Sequence, residues 1–162
     1  MTIDDIKLLK NNERKTSACI EFFVGDWEKK KSFWNEESVF IDETIFHYVF
    51  TECFKKTNIT FNYFGETKYS RENLLVLVDC LKQNLQTLVA VYTHTDVIKL
   101  SEHYSNPPPN TSFQDALSSE FKVHWQEDWH QVIQQLIEIN RGLIDLAEDC
   151  LDKHKVLWVL GV

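Results

Sequence analysis

The chain has 162 residues, of which 43% are hydrophobic and 13% aromatic, enough to build one packed domain over residues 1–162. Its formal net charge of −8 disfavours direct binding of nucleic acids, because their phosphates would be repelled. No apolar run approaches the roughly 20 residues that a membrane span requires. With only 4 glycines and 3 prolines, the composition also argues against extensive disorder.

The N-terminal stretch MTIDDIKLLKNNERK places acidic residues ahead of a short apolar patch, whereas a secretory signal begins with basic residues and continues with a longer apolar segment. We therefore expect a cytoplasmic protein. In that reducing compartment, four cysteines that are far apart and form no CxxC pair should be free, mostly buried thiols. They are Cys19, Cys53, Cys80 and Cys150.

The first half of the chain predicts a mixture of strands and helices. The helical spacing of Ile3, Ile6 and Leu9 indicates a short N-terminal helix. SACIEFFV (17–24) predicts a strand, and SVFI (38–41) a second short one. A helical stripe from Ile45 to Phe54 follows, with Asp42 or Thr44 placed to cap it. Alternating residues in NITFNYF (58–64) then predict a strand at about 59–64, which Gly65 would end.

The second half predicts long helices and a final strand. Ser70 is placed to cap a helix whose leucine stripe extends to Leu88. Three consecutive prolines within 101–112 exclude a helix, so this segment is a surface crossover or a domain linker; we favour the crossover. A long helix over 124–152 and a strand in KVLWVLGV (155–162) complete an α+β fold. Its small, mostly antiparallel sheet is covered by long helices, and its C-terminal half is rich in helix.

The helix predicted over 124–152 has two different faces. Its apolar face, which we expect in the core, contains Trp125, Trp129, Val132, Ile133, Leu136, Asn140, Leu143, Ala147 and Cys150. Its polar face contains Glu127, Gln131, Gln134, Glu138, Arg141, Asp145, Glu148 and Asp152. From Glu102 to Asp152 there are ten acidic and two basic residues, so this region carries the whole net charge. The acidic face is either an ordinary solvated surface or one that binds a partner.

The same helix offers one candidate metal site, formed by His124, Glu127 and His130 at three-residue spacing. Di-iron bundles use two ExxH motifs and two further glutamates, but this chain has one ExxH. It has no HExxH and no zinc-type cysteine spacing, and GxGxxG, GxxxxGK[ST] and GxSxG are also missing. We therefore expect neither a metal, nor a cofactor, nor an enzymatic activity.

The stretch NYFGETKYSRENLLVLVDCLKQNL (62–85), combined with the terminal KVLWVLGV, resembles small bacterial immunity proteins. These proteins inhibit the cognate toxins of polymorphic or contact-dependent growth-inhibition systems. The resemblance implies a cytoplasmic protein without an active site, which binds and neutralises a toxin domain, often a basic nuclease. It transfers neither a fold nor individual site residues.

Our hypothesis is thus an immunity protein that occludes the active site or substrate-binding surface of a basic toxin. Aromatic residues in polar surroundings and exposed carboxylates are the candidates for contact. The predicted partner-binding residues are Trp27, Trp34, Glu127, Glu138, Asp145, Glu148 and Asp152. Two alternatives remain: an acidic nucleic-acid mimic of the phage anti-defence type, and a metal-binding enzyme that uses His124, Glu127 and His130. The sequence leaves the oligomeric state open.

Overall fold

The structure, a computed structural model, describes residues 1–15, 18–26, 33–94 and 113–161, without the side chains of residues 94, 125 and 126. The strands are β1 (Cys19–Val24), β2 (Val39–Asp42), β3 (Glu66–Tyr69) and β4 (Leu157–Leu160). The helices are α1 (Glu43–Ile45), α2 (Thr51–Thr57), α3 (Arg71–His94), α4 (Phe113–Phe121) and α5 (Trp125–Asp152). This is the predicted α+β fold, with a four-stranded antiparallel sheet and long C-terminal helices.

The sheet has the order β2-β1-β4-β3, and every neighbouring pair is antiparallel. The C-terminal strand β4 is therefore an inner strand, and Val159 lies between Phe22 of β1 and Thr67 of β3. The predicted C-terminal strand is thus confirmed, and pairing on both sides removes the aggregation risk that such an apolar run would have at a sheet edge. On the outer side of β2, the backbone N–H of Leu9 donates to the carbonyl of Phe40 at 2.8 Å.

The sheet buries side chains on both faces. Its helix-facing side joins one large core that contains residues from either side of the segment 95–112, such as Ile20, Phe22, Leu77, Leu81, Leu136 and Val159. The opposite face carries two smaller clusters, Phe23 with Trp158 and Leu160, and Leu9 with Cys19 and Phe40. The second of these clusters includes Leu9 of the N-terminal segment and packs against Trp34 of the loop before β2.

A capped helix follows β2 directly, as predicted. Asp42 accepts a hydrogen bond from the backbone N–H of Thr44 at 2.9 Å, which satisfies a free donor at the start of α1. A π-helical turn, Phe46–Phe50, connects α1 to α2. The predicted apolar stripe is buried throughout, because Phe46, Phe50 and Phe54 are all inaccessible to solvent.

The two longest helices, α3 and α5, pack against each other through apolar residues and one buried polar pair. Asn84 donates to the side-chain oxygen of Asn140 at 2.8 Å, and Asn140 donates to the carbonyl of Leu81 at 2.9 Å. A slip of one helix along the other would break both bonds inside the core, so this pair fixes their register. The helix α5 continues through Gly142, as the phase of its apolar residues predicted.

Two predicted elements are wrong. Residues 58–64 form turns rather than a strand: Asn58 accepts from the backbone N–H of Thr60 at 3.0 Å, and the strand β3 begins only after Gly65. The N-terminal residues form two short 3-10 turns, Ile3–Asp5 and Asn11–Glu13, rather than the predicted helix, because the chain between the turns extends to pair Leu9 with β2. In both places, long-range contacts override the local pattern: the ring of Phe61 packs near Phe46 and Phe54, and the backbone of Leu9 pairs with Phe40.

Some predictions fall on residues outside those described, namely Trp27 and the proline-rich segment 101–112, and the predicted burial of Trp125 concerns a side chain that is also not described. Within the described residues, one helix is long and apolar enough to cross a membrane, over Arg71–Thr93 of α3, contrary to the expectation from the sequence. The core helix of a soluble protein can be as long and as apolar as this one, and α3 packs on α5, so this helix is weak evidence for a membrane span.

Candidate partner-binding surface

The outer face of α5 carries a straight row of carboxylates. Glu127, Glu138, Asp145 and Asp152 are all exposed, and they are separated by eleven, seven and seven residues. Those separations are close to whole numbers of helical turns, so the four side chains point in nearly the same direction. At a rise of about 1.5 Å per residue, they extend over about 37 Å. We call these four residues the acidic row.

The opposite face of α5 is buried, as its sequence predicted. Trp129 is 8% exposed, and the core side chains of Val132, Ile133, Leu136, Leu143, Ala147 and Cys150 are almost fully buried. The core thus fixes the rotation of the helix about its axis. Because of this anchoring, the acidic row is held on a rigid element and always faces away from the core.

Ion pairs neutralise only part of this surface. Glu138 pairs with Arg141 on the same helix, and Glu148 pairs with Lys82 of α3, each at 2.7 Å. The hydrogen bond that Lys82 donates to the Glu148 carboxylate raises the pKa of Lys82. All four side chains are about half exposed, so these pairs are weak and can exchange for other partners. Within the described part of the chain, Glu127, Asp145 and Asp152 have no basic side chain within ion-pair distance.

The C-terminal end of α5 carries charges that its own dipole disfavours. Its last turn contains Asp149 and Asp152 and has no basic residue. A helix C-terminus has a partial negative charge, so each carboxylate there costs about 0.3–1 kcal/mol. Asp149 is compensated by Lys153 at 2.6 Å, but Asp152 is not compensated in this way. The carboxylate of Asp152 at this end of the acidic row therefore lowers the stability of the helix.

Trp34 lies far from this arrangement, on the sheet face that points away from the large core. Its ring is half-buried between the guanidinium of Arg14, 3.7 Å from the ring centroid, and Phe40, at 5.9 Å between centroids. Its backbone N–H donates to the buried carboxylate of Glu21 at 2.8 Å, and its φ is 66°. The ring thus anchors the loop before β2. The structure does not bring Trp34 together with the acidic row.

The residues proposed for a metal site do not converge. His124 is the residue before α5, and its backbone N–H donates to the carboxylate of Asp128 at 2.8 Å. The ring of His130 stacks on Trp129 at 3.5 Å between centroids and meets the ring of Tyr92 edge-on. Among the described residues, no group of three or more His, Cys, Asp or Glu side chains is arranged to hold a metal ion.

The spacing of the acidic row also bears on nucleic-acid mimicry. Along one DNA strand, a phosphate recurs every 3.4 Å of helix axis, so about eleven phosphates occupy the length over which α5 presents four carboxylates. Glu148 adds a fifth carboxylate, but it is paired with Lys82. The row is therefore far less dense in charge than the backbone it would imitate.

The sequence does not predict two exposed apolar side chains, because both lie in residues whose alternation predicts a strand. Ile59 is fully exposed and Phe64 is 76% exposed, both in the turns between α2 and β3. The turn-forming residues Asn58, Asn62 and Gly65 were the signal that could have revealed them. Apolar side chains of this kind are suited to contact a partner, although single exposed residues are common on protein surfaces.

A scan of protein-family models found no match for this chain, and searches of curated proteins and of solved structures found none either.

Proposed function

We propose that the protein is an immunity-type inhibitor: a cytoplasmic binding protein that neutralises a basic toxin domain by docking the acidic row of α5 against it. The partner is a protein with a positively charged substrate cleft, such as a nuclease. The inhibitor blocks that cleft and performs no chemistry on it. The observation that carries this proposal is the acidic row itself. The buried face of α5 fixes its orientation, and the row extends to the C-terminal end of the helix, where the helix dipole disfavours the carboxylate of Asp152.

The charge distribution supports a role in rapid and selective association. Complementary fields steer oppositely charged proteins together and raise association rates by orders of magnitude over a neutral pair at low salt. A toxin that acts inside the cell must be neutralised quickly, so a fast association rate suits this function. The row also repels nucleic acid, which suits an inhibitor that occupies the cleft in place of the substrate.

The resemblance of residues 62–85 and 155–162 to immunity proteins supports the same proposal from a different part of the chain. In the structure, these two stretches form neighbouring strands, β3 and β4, together with the first part of α3. They belong to the scaffold that carries α5. In this proposal, the scaffold determines how the acidic row is presented, and α5 provides the contact.

Co-purification from the native host tests the proposal. The tagged full-length chain is isolated at low salt and washed at increasing salt, and the recovered proteins are identified. We expect one basic protein at a ratio near one to one, released by salt, toxic when expressed alone and harmless when co-expressed with this chain. A partner that is not toxic, or whose toxicity persists on co-expression, would contradict the proposal.

A further inference from the structure

Two cysteines that are 27 residues apart in the sequence meet where α2 packs on α3. The Sγ atoms of Cys53 and Cys80 lie 2.7 Å apart as hydrogen-bond partners. Both are free thiols, and Cys53 is 7% exposed while Cys80 is only partly buried. A disulfide bond is about 2.05 Å long, so the two sulfurs need to approach each other by less than about 1 Å to form one.

The environment of Cys80 makes it the reactive thiol of this pair. Its hydrogen bond with Cys53, assisted by the positive charge of Lys56, lowers the pKa of Cys80 to about 7 despite its partial burial. By contrast, burial raises the pKa values of Cys19 and Cys150 to about 11. The thiolate is the nucleophilic form of cysteine, so Cys80 should react first at neutral pH.

We propose that Cys53 and Cys80 are a redox-active dithiol, which low-molecular-weight disulfides such as oxidised glutathione convert into a disulfide between α2 and α3. In the first step, the Cys80 thiolate attacks one sulfur of oxidised glutathione. The glutathione S–S bond breaks, a mixed disulfide forms on Cys80, and one glutathione leaves as a thiolate that takes up a proton.

In the second step, Cys53 loses its proton to solvent and its sulfur attacks the Sγ of Cys80, which releases the second glutathione as a thiol. In the reduced pair, the hydrogen bond with Cys80 is the main cause that raises the pKa of Cys53. Once Cys80 is in the mixed disulfide, this hydrogen bond is lost and the pKa of Cys53 falls. The first step therefore makes it easier for Cys53 to lose its proton in the second step. In total, two protein thiols are oxidised and one glutathione disulfide is reduced to two thiols.

The test is thiol counting on the folded, full-length protein after incubation with oxidised glutathione at neutral pH. We expect the free thiols to fall from four to two, with peptide mapping that links Cys53 to Cys80. The cross-link closes a loop of about 27 residues, so we expect the melting temperature to rise by roughly 5–10 °C. The matched control Cys150→Ser removes a buried thiol outside the pair and should still form the bond.

Two variants separate the steps. With Cys53→Ser, the reaction should stop at a glutathione adduct on Cys80, and with Cys80→Ser no rapid reaction is expected. Four free thiols in the treated wild-type protein would overturn the proposal. So would a Cys53–Cys80 bond that forms only after unfolding in urea, because the native geometry would then play no part. The wild-type result alone decides the question if a variant fails to fold.

Discussion

At the scale of single residues, Asp42 combines a structural role with an unfavourable environment. It caps α1 through Thr44, but it is only 3% exposed. Burial, followed by the charge of Glu120, raises the pKa of Asp42 to about 7 from a usual value of 3.8. At pH values between about 4 and about 7, Asp42 is therefore protonated in the folded state but has lost this proton in the unfolded chain. Consequently, the contribution of Asp42 to stability falls as the pH rises from about 4 to about 7.

Replacing this residue by asparagine should remove that pH dependence. Asparagine caps a helix as well as aspartate does but does not ionise, so Asp42→Asn keeps the hydrogen bond to Thr44. Between pH 5 and pH 8 we expect the wild-type protein to lose about 2–3 kcal/mol of unfolding free energy more than the variant. Urea unfolding at the two pH values measures this difference. Equal losses in both proteins would show that Asp42 is not protonated in the fold.

Substitution by alanine should have very different effects on stability at Gly161 and at Gly142. A Cβ on Gly161 would overlap the carbonyl oxygen of Tyr63, and the backbone N–H of Gly161 donates to Gly65 at 2.9 Å. Because backbone on both sides must move, Gly161→Ala should lower the unfolding free energy by about 2 kcal/mol or more. In Gly142→Ala, the added methyl meets the flexible end of Leu8, and alanine favours the helix by about 1 kcal/mol, so the change should be small. Thermal unfolding compares the two variants, and a similar loss in both would contradict the steric argument.

At the scale of elements, the two ends of α5 allow the effect of a carboxylate on stability to be separated from its proposed effect on binding. Asp152 lies at the C-terminal end, where the dipole disfavours a carboxylate, whereas Glu127 lies in the first turn, where the dipole favours one. We expect Asp152→Asn to raise the unfolding free energy by about 0.3–1 kcal/mol and Glu127→Gln to lower it by a similar amount. Both should weaken binding of a basic partner, since each removes one charge from the acidic row.

Thermal unfolding and the dissociation constant of the isolated complex measure the two effects on the same pair of variants. The two variants should change the unfolding free energy in opposite directions but weaken binding alike. This combination distinguishes a docking role from a general effect on the fold. If Asp152→Asn raised stability and left the affinity unchanged, Asp152 would have to be removed from the contact surface.

The elements also show why sequence reasoning succeeded for α5 and failed for residues 58–64. The apolar period of α5 holds over 28 residues, and a pattern of this length has one structural solution. In residues 58–64 the alternation covers only three apolar positions. There Phe61 packs near Phe46 at 6.2 Å between ring centroids, from within a turn. The true strand, ETKY, alternates exposed and buried residues, but it is short and polar.

Long-range contacts account for the features of the candidate site that sequence could not predict. Trp34 was a candidate because its neighbours in sequence are polar. Its ring is instead explained by Arg14 and Phe40, and its backbone is held by Glu21. Likewise, the Cys53–Cys80 pair depends on how α2 packs on α3, which no spacing in the sequence reveals.

At the scale of the whole molecule, the acidic row lies on the solvent-facing side of α5, whereas the sheet and α3 cover its other side. The sheet and α3 bury the apolar side of α5, and the Asn84–Asn140 pair fixes its position along α3. The net charge of the chain is concentrated in the region that includes α5, and the rest of the chain is balanced. Substitutions on the row should therefore change binding with little effect on the core, which allows the two to be measured separately.

The most direct measurement is the association rate constant of the purified chain and its co-purified basic partner, at low and at raised salt. One variant neutralises part of the row: Glu127→Gln, Asp145→Asn and Asp152→Asn. A matched control neutralises three exposed carboxylates elsewhere: Asp4→Asn, Glu36→Gln and Glu66→Gln. Because steering depends on where the charge is, we expect the row variant to associate about tenfold more slowly at low salt, with a weaker salt dependence, and the control to remain within about twofold of the wild-type protein. Equal rates for the two variants would contradict docking through the acidic row.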